Sequence, residues 1–383
     1  MNEGNGYPRI PVEDLQFPPF PQDPLVTESL PRFRRQHRLW PAVLLFFLTV
    51  ISTLAVGSEF AQSYARNITP FSGDGNLFFM MVEPLRHPSL LLLGIPFSLT
   101  VMGILLAHEL GHYFACKFYR MDVTYPYFIP APTLFGTFGA FILIRSPFRS
   151  RRALFDVGIA GPIAGFVIAV PAMASAIAAS KIVPDAQAGA SILFGNPLLM
   201  RLFMALFHPG VEPSAILLHP VGRAAWLGLL ATALNLMPIW QLDGGHILYS
   251  LVSEQHRKIS LVLSLALIVL GRFAWPAWYF WGGALLLLTL RFRHPPVMDR
   301  WEPLDARRKL LALAALAIFA LCYTLSPTWE PLEGPTIQAR FVGSTSTMTA
   351  VSGISFEAQK SRQPESACAS AERCGDFKTN WKR

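Results

Sequence analysis

The sequence predicts an all-α polytopic membrane protein of about six to seven transmembrane helices, carrying a small membrane-embedded β-hairpin. Three observations predict it. Only 15% of the 383 residues are charged against 52% hydrophobic, whereas soluble domains carry about a quarter charged residues. Several apolar runs approach the roughly 20 residues that cross ~30 Å of hydrocarbon. The basic residues, which give a net charge of +8, gather at the ends of those runs. That distribution is a topology signal: it points to a lipid bilayer as surroundings and away from a nucleic-acid partner. No internal repeat is visible, and the four Cys form no metal framework. Cys116 and Cys322 lie in apolar segments; Cys368 and Cys374 lie in the tail and would pair only in an oxidising compartment.

Residues 1–38 read as a Pro-rich arm with acidic residues, unlike a signal or transit peptide. Arg32, Arg34, Arg35 and Arg38 close it and predict a cytoplasmic N-terminus. With no organellar leader visible, the expected location is a bacterial cytoplasmic (inner) membrane. Residues 39–88 supply the first transmembrane helix, apolar over 40–57, and a polar outside loop over 58–88. Asn67-Ile68-Thr69 in that loop has the form of a glycosylation site.

Residues 89–258 hold the chemistry. A second helix is expected over about 89–118, and residues 89–106 contain no charge. Ala107-His108-Glu109-Leu110-Gly111-His112 follows directly. Two His four apart lie one above the other on a helix face. Neutral imidazoles so placed can grip one tetrahedral Zn²⁺, and the adjacent Glu can take a proton from a water that the metal activates. Charges cost several kcal/mol in a bilayer unless they meet a cavity or a partner, so their position argues for function. Leu110 precedes Arg120 by ten residues, or ~15 Å of helix, which sets the site within the membrane towards its cytoplasmic side.

Residues 123–148 do not read as a helix. Pro126, Pro130, Pro132 and Pro147 interrupt it, while Thr137 to Ile144 favours strand, with Gly136 and Gly139 permitting tight geometry. A hairpin is expected there. A third helix over about 154–180 carries Gly161 and Gly165, a close-packing signal. An outside loop over 181–212 includes an amphipathic piece near 192–207. A fourth helix over about 214–240 leads into Asn235-Leu236-Met237-Pro238-Ile239-Trp240-Gln241-Leu242-Asp243-Gly244-Gly245-His246. Asp243 in this apolar setting needs a partner, and service as a third zinc ligand supplies one, leaving a fourth position to water. His246 reads better as support for the ligands or as a helix-end residue than as a ligand.

The His108–His112 pair followed by Asn235–His246 resembles the site-2 protease family of intramembrane zinc metalloproteases over roughly residues 89–250. The resemblance implies one Zn²⁺ held by His108, His112 and Asp243, with Glu109 as catalytic acid and base. It also matches Asn235 to a polar position that helps stabilise the oxyanion. The implied activity is hydrolysis of a peptide bond in or beside a transmembrane segment of a membrane-anchored substrate, as in regulated intramembrane proteolysis. The competing readings are a catalytically inactive metal-binding membrane scaffold and an ion- or proton-coupled transporter. The chain offers no room for a PDZ insert, and no nucleotide-sensing domain is evident.

Residues 259–325 are expected to add accessory helices: two over 259–291, split by Arg272 and Pro276, and a last one over about 310–325. Residues 326–383 form a polar tail whose side of the membrane the charges leave undecided.

Overall fold

A computed structural model describes residues 39–70, 77–184, 193–299 and 303–329. These residues fall in one unit, Met1–Leu332. The expectations for the arm 1–38, the tail from 330 and the Cys368–Cys374 pair lie outside them.

Helix α1 (Leu39–Arg66) tolerates Pro41 because a first-turn residue needs no intrahelical donor. It outruns the expected 40–57. Ser63 donates to Glu59 Oε1 at 3.0 Å and Arg66 to Gln62 Oε1 at 3.4 Å, so polar side chains one turn apart satisfy one another and prolong the helix. The expected polar loop that follows is instead partly helical, as α2 (Leu77–Arg86) and α3 (Pro88–Leu93). The second expected helix is divided at Gly94, where α4 (Ile95–Phe118) begins. Gly94 lies against α1 so closely that a Cβ there would sit 2.0 Å from Leu54 O. The hydroxyls of Thr53 and Ser98, 2.7 Å apart, join the two helices just beyond.

The predicted hairpin is present: β1 (Tyr127–Pro130) pairs antiparallel with β2 (Thr137–Phe141), with an irregularity between Phe128 and Pro130. Gly136, at φ 74°, makes the turn, and Ser52 of α1 donates to its carbonyl at 2.6 Å. The hairpin is thereby fastened to α1.

Helix α5 (Arg151–Ala178) is capped by Ser150, whose hydroxyl accepts from the Ala153 amide. Short strands β3 (Lys181–Ile182) and β4 (Leu193–Phe194) then precede α6 (Leu198–Phe207), the expected amphipathic piece. Strand β5 (Ile216–Leu217) pairs with β3. Helix α7 (Pro220–Asn235) is shorter than the expected 214–240, because the Pro238 segment folds back into α8 (Asp243–Val252). Helices α9 (His256–Phe273) and α10 (Ala277–Arg291) pack as a pair, and α11 (Ala306–Cys322) precedes β6 (Thr328–Trp329), which pairs with β4.

Among the described residues three helices, α1, α4 and α5, are long and apolar enough to cross a membrane. The protein is mostly helical with small two-stranded sheets, as expected in outline. The remaining apolar helices are too short or too charged at their ends to count by that measure. The main core lies between α4, α5 and α7, around Phe97, Ile104, Met173, Trp226 and Leu229. At the start of α11, Arg308 joins three elements: it pairs with both carboxylate oxygens of Asp156 near the start of α5, with Asp305 Oδ1 at 2.8 Å, and donates to Tyr119 Oη, just past α4, at 3.4 Å. Burial and the adjoining Asp156 carboxylate push the Tyr119 phenol up to about 12, so it stays protonated and donates to Asp156.

Candidate metal centre

Helix α4 presents His108 and His112 on one face, both buried, and α8 opens with Asp243. Their ligand atoms converge. His108 Nε2 is 3.1 Å from Asp243 Oδ2, His112 Nε2 is 3.3 Å from the same oxygen, and the two Nε2 atoms are 3.1 Å apart. All three sequence-predicted ligands therefore meet in one place.

Glycines on α5 make that convergence sterically feasible. A Cβ on Gly161 would fall 2.1 Å from His112 Nε2, and one on Gly165 would lie 3.3 Å from His108. In return, Gly111 of α4 lies against the Ala160 carbonyl, where a Cβ would sit at 2.5 Å. The imidazoles fill the space that side chains on α5 would take. The small residues read from the sequence as a packing signal thus make room for the rings themselves.

Asp243 is delivered by a tight turn. Trp240 adopts φ 52°, and a Cβ on Gly244 would meet Leu236 O at 2.0 Å. Only glycine permits this crossing. At the far end of α8, Arg151 donates to the carbonyls of Ser250 and Leu251, both at 2.8 Å, which satisfies the helix end and fixes α8 to α5.

The donor set suits a cation. His112 Nδ1–H donates to Val157 O at 2.7 Å, which leaves its Nε2 as a lone pair. That lone pair faces a carboxylate oxygen and a second imidazole nitrogen. Two neutral imidazoles and one carboxylate at this spacing match a three-residue Zn²⁺ set, whose bonds run about 2.0–2.2 Å.

Glu109 is buried, 5% exposed, and the Ile142 backbone just past β2 is hydrogen-bonded to its carboxyl. Asn235, the last residue of α7, brings Nδ2 to 3.5 Å from His108 Nε2. The structure thus gathers all five predicted site residues. It leaves His246 apart from the ligand atoms, with Nδ1 2.8 Å from His294 Nε2. Sequence reasoning missed the Val157 carbonyl, which no side-chain motif could reveal.

Gly161→Val should displace His112 and weaken zinc binding by at least about 10–100-fold, the range seen when a ligand's support is lost. Zinc affinity measured by chelator competition, beside helix content by circular dichroism, checks this. Unchanged affinity would refute the steric account.

The chain resembles known proteins across this region. Residues 96–271 match the model of peptidase family M50. The chain is 30% identical to the probable chloroplastic zinc metalloprotease EGY1 of Arabidopsis thaliana over 306 residues, 76% of this chain and 53% of the relative. Identity to its counterpart in Oryza sativa subsp. japonica is 29% over 311 residues, 77% of this chain and 52% of the relative. The probable chloroplastic zinc metalloprotease EGY2 of Arabidopsis thaliana is 27% identical over 287 residues, 73% and 47%. The chain spans about half the length of the curated relatives it matches.

Proposed function

We propose that the chain, whose residues 96–271 match the model of peptidase family M50, is an intramembrane zinc metalloprotease. It would cleave a peptide bond in or beside a transmembrane segment of a membrane-anchored substrate. The observation that carries this reading is the convergence of His108, His112 and Asp243 with Glu109 beside them.

His108, His112 and Asp243 would hold Zn²⁺, which when bound polarises the scissile carbonyl and activates water. Glu109 accepts the proton of the attacking water and returns one to the leaving amine. Its burial in α4 keeps the carboxyl at one height, and Ile142 orients it from the hairpin side. Asn235 donates its amide to the developing oxyanion. Replacing it by Leu should lower kcat about 10²–10³-fold with KM little changed, the usual cost of one such donor; steady-state kinetics checks the split.

A helix hides its carbonyls in internal hydrogen bonds, so the substrate must unwind at the cleavage point. Strand β2 is the element to receive it. It pairs with β1 on one edge, ends beside Glu109, and carries the exposed Phe138. An unwound segment adding to its other edge would lie alongside the general base.

The chain would cross the membrane six or seven times, with the shorter helices α7, α9, α10 and α11 completing the bundle. The N-terminus would lie on the cytoplasmic side, by the positive charge of residues 32–38. A bacterial inner membrane has no support from the relatives, whose names are chloroplastic. The decisive test is cleavage of a model transmembrane substrate by purified full-length protein, before and after zinc removal. Loss on removal and recovery with Zn²⁺ support the reading; cleavage that persists without zinc refutes it.

A further inference from the structure

A cavity of about 350 Å³ opens where the C-terminal end of α8 meets the start of α9 and the end of α10. Its volume lies within the ~300–1,000 Å³ of small-ligand sites. None of the metal-site residues lines it. Two lining residues each carry a buried polar donor without a hydrogen-bond partner: Trp240 Nε1 and Thr289 Oγ1. Thr289 is 3% exposed. Leaving such atoms unpaired costs about 1–3 kcal/mol each, so a site that gathers two of them calls for a ligand.

The chemistry of that ligand follows from the lining. Trp240 and Thr289 offer N–H and O–H donors, Ser253 a further hydroxyl, and Arg257 and Arg293 stand exposed at the rim. No carboxylate lines the cavity among the described residues. Helix α9, 18 residues long, begins at His256, so its free N–H groups add to the donor excess. A metal fits poorly despite the nearby histidines. His294 already engages His246 through Nε2 and the Pro295 carbonyl through Nδ1, both at 2.8 Å, and its ring stacks on Tyr249 at 3.9 Å.

We infer that this cavity binds a phosphate-type anion, with Arg257 and Arg293 at its mouth and Thr289 and Trp240 within. The group comes either from an anionic phospholipid headgroup or from free phosphate. The exposed Phe292 and Leu290 beside the mouth suit an acyl chain, and basic pockets between membrane helices are a recurrent headgroup site. The inference does not depend on proteolytic activity.

The test uses full-length, zinc-loaded protein in neutral detergent. One arm titrates inorganic phosphate by calorimetry. The other incorporates the protein into bilayers of phosphatidylcholine with or without phosphatidylglycerol, re-extracts it, and counts retained phospholipid by native mass spectrometry. The expected result is selective retention of phosphatidylglycerol, falling roughly fivefold for each arginine replaced in Arg257→Gln and Arg293→Gln. Thr289→Val, which preserves shape, should also weaken it; Lys258→Gln, outside the cavity, should not. Binding of inorganic phosphate with the same variant dependence, without lipid preference, supports the site with a soluble anion as its ligand. Binding in neither arm, or an equal loss in Lys258→Gln, overturns it.

Discussion

Glu109→Gln is expected to lower cleavage of a transmembrane substrate by about 10²–10⁴-fold, the usual contribution of a positioned general acid–base. Zinc content should stay as in the wild type. The two halves of this expectation have different origins. Glutamine keeps the size of Glu109 and can still accept from the Ile142 backbone, so α4 and its His pair are undisturbed. It cannot take the proton of water at any accessible pH. Cleavage of a model substrate with metal analysis of both proteins separates the effects. Full activity in Glu109→Gln would exclude the residue as acid and base, whereas zinc loss would mean that its role is structural.

Asp243→Ala should have the larger effect on the metal. The carboxylate faces both Nε2 atoms, at 3.1 and 3.3 Å, and supplies the only negative charge among the three ligand groups. Losing a mere support of a ligand costs about 10–100-fold in metal affinity, so losing the ligand itself should exceed that, with cleavage abolished. His246→Ala gives the contrast. That ring is turned to His294, and zinc affinity should change far less than in Asp243→Ala. Chelator competition on the two variants checks the order, and equal losses would make His246 part of the metal set.

Much of this site was legible in the chain. The His108–His112 spacing is local information: a helix of 3.6 residues per turn brings i and i+4 together whatever surrounds it. The position of Asp243 in an apolar stretch likewise demanded a partner, and the candidates were few. The hairpin could be read from Pro126 to Pro147 because prolines exclude helix without regard to tertiary context. Helix ends were less legible. α1 runs on through polar residues that satisfy one another, and α7 stops at Asn235, ahead of Pro238. Hydropathy alone registers neither side-chain pairing nor a fold-back.

By itself the sequence predicted the mostly helical class, the hairpin and the three residues His108, His112 and Asp243 whose ligand atoms the structure brings together, since periodicity, proline and unpaired charge act over short distances; Asn235 entered only through the family resemblance. Only the tertiary structure decided what holds them in place. Val157 O fixes the His112 tautomer across 45 residues, Arg308 reaches Asp156 across 152, and His246 meets His294 across 48. Such partners depend on how closely helices approach. That distance is set by the absence of side chains at Gly111, Gly161 and Gly244, a steric condition that acts between elements and leaves no periodic mark along the chain.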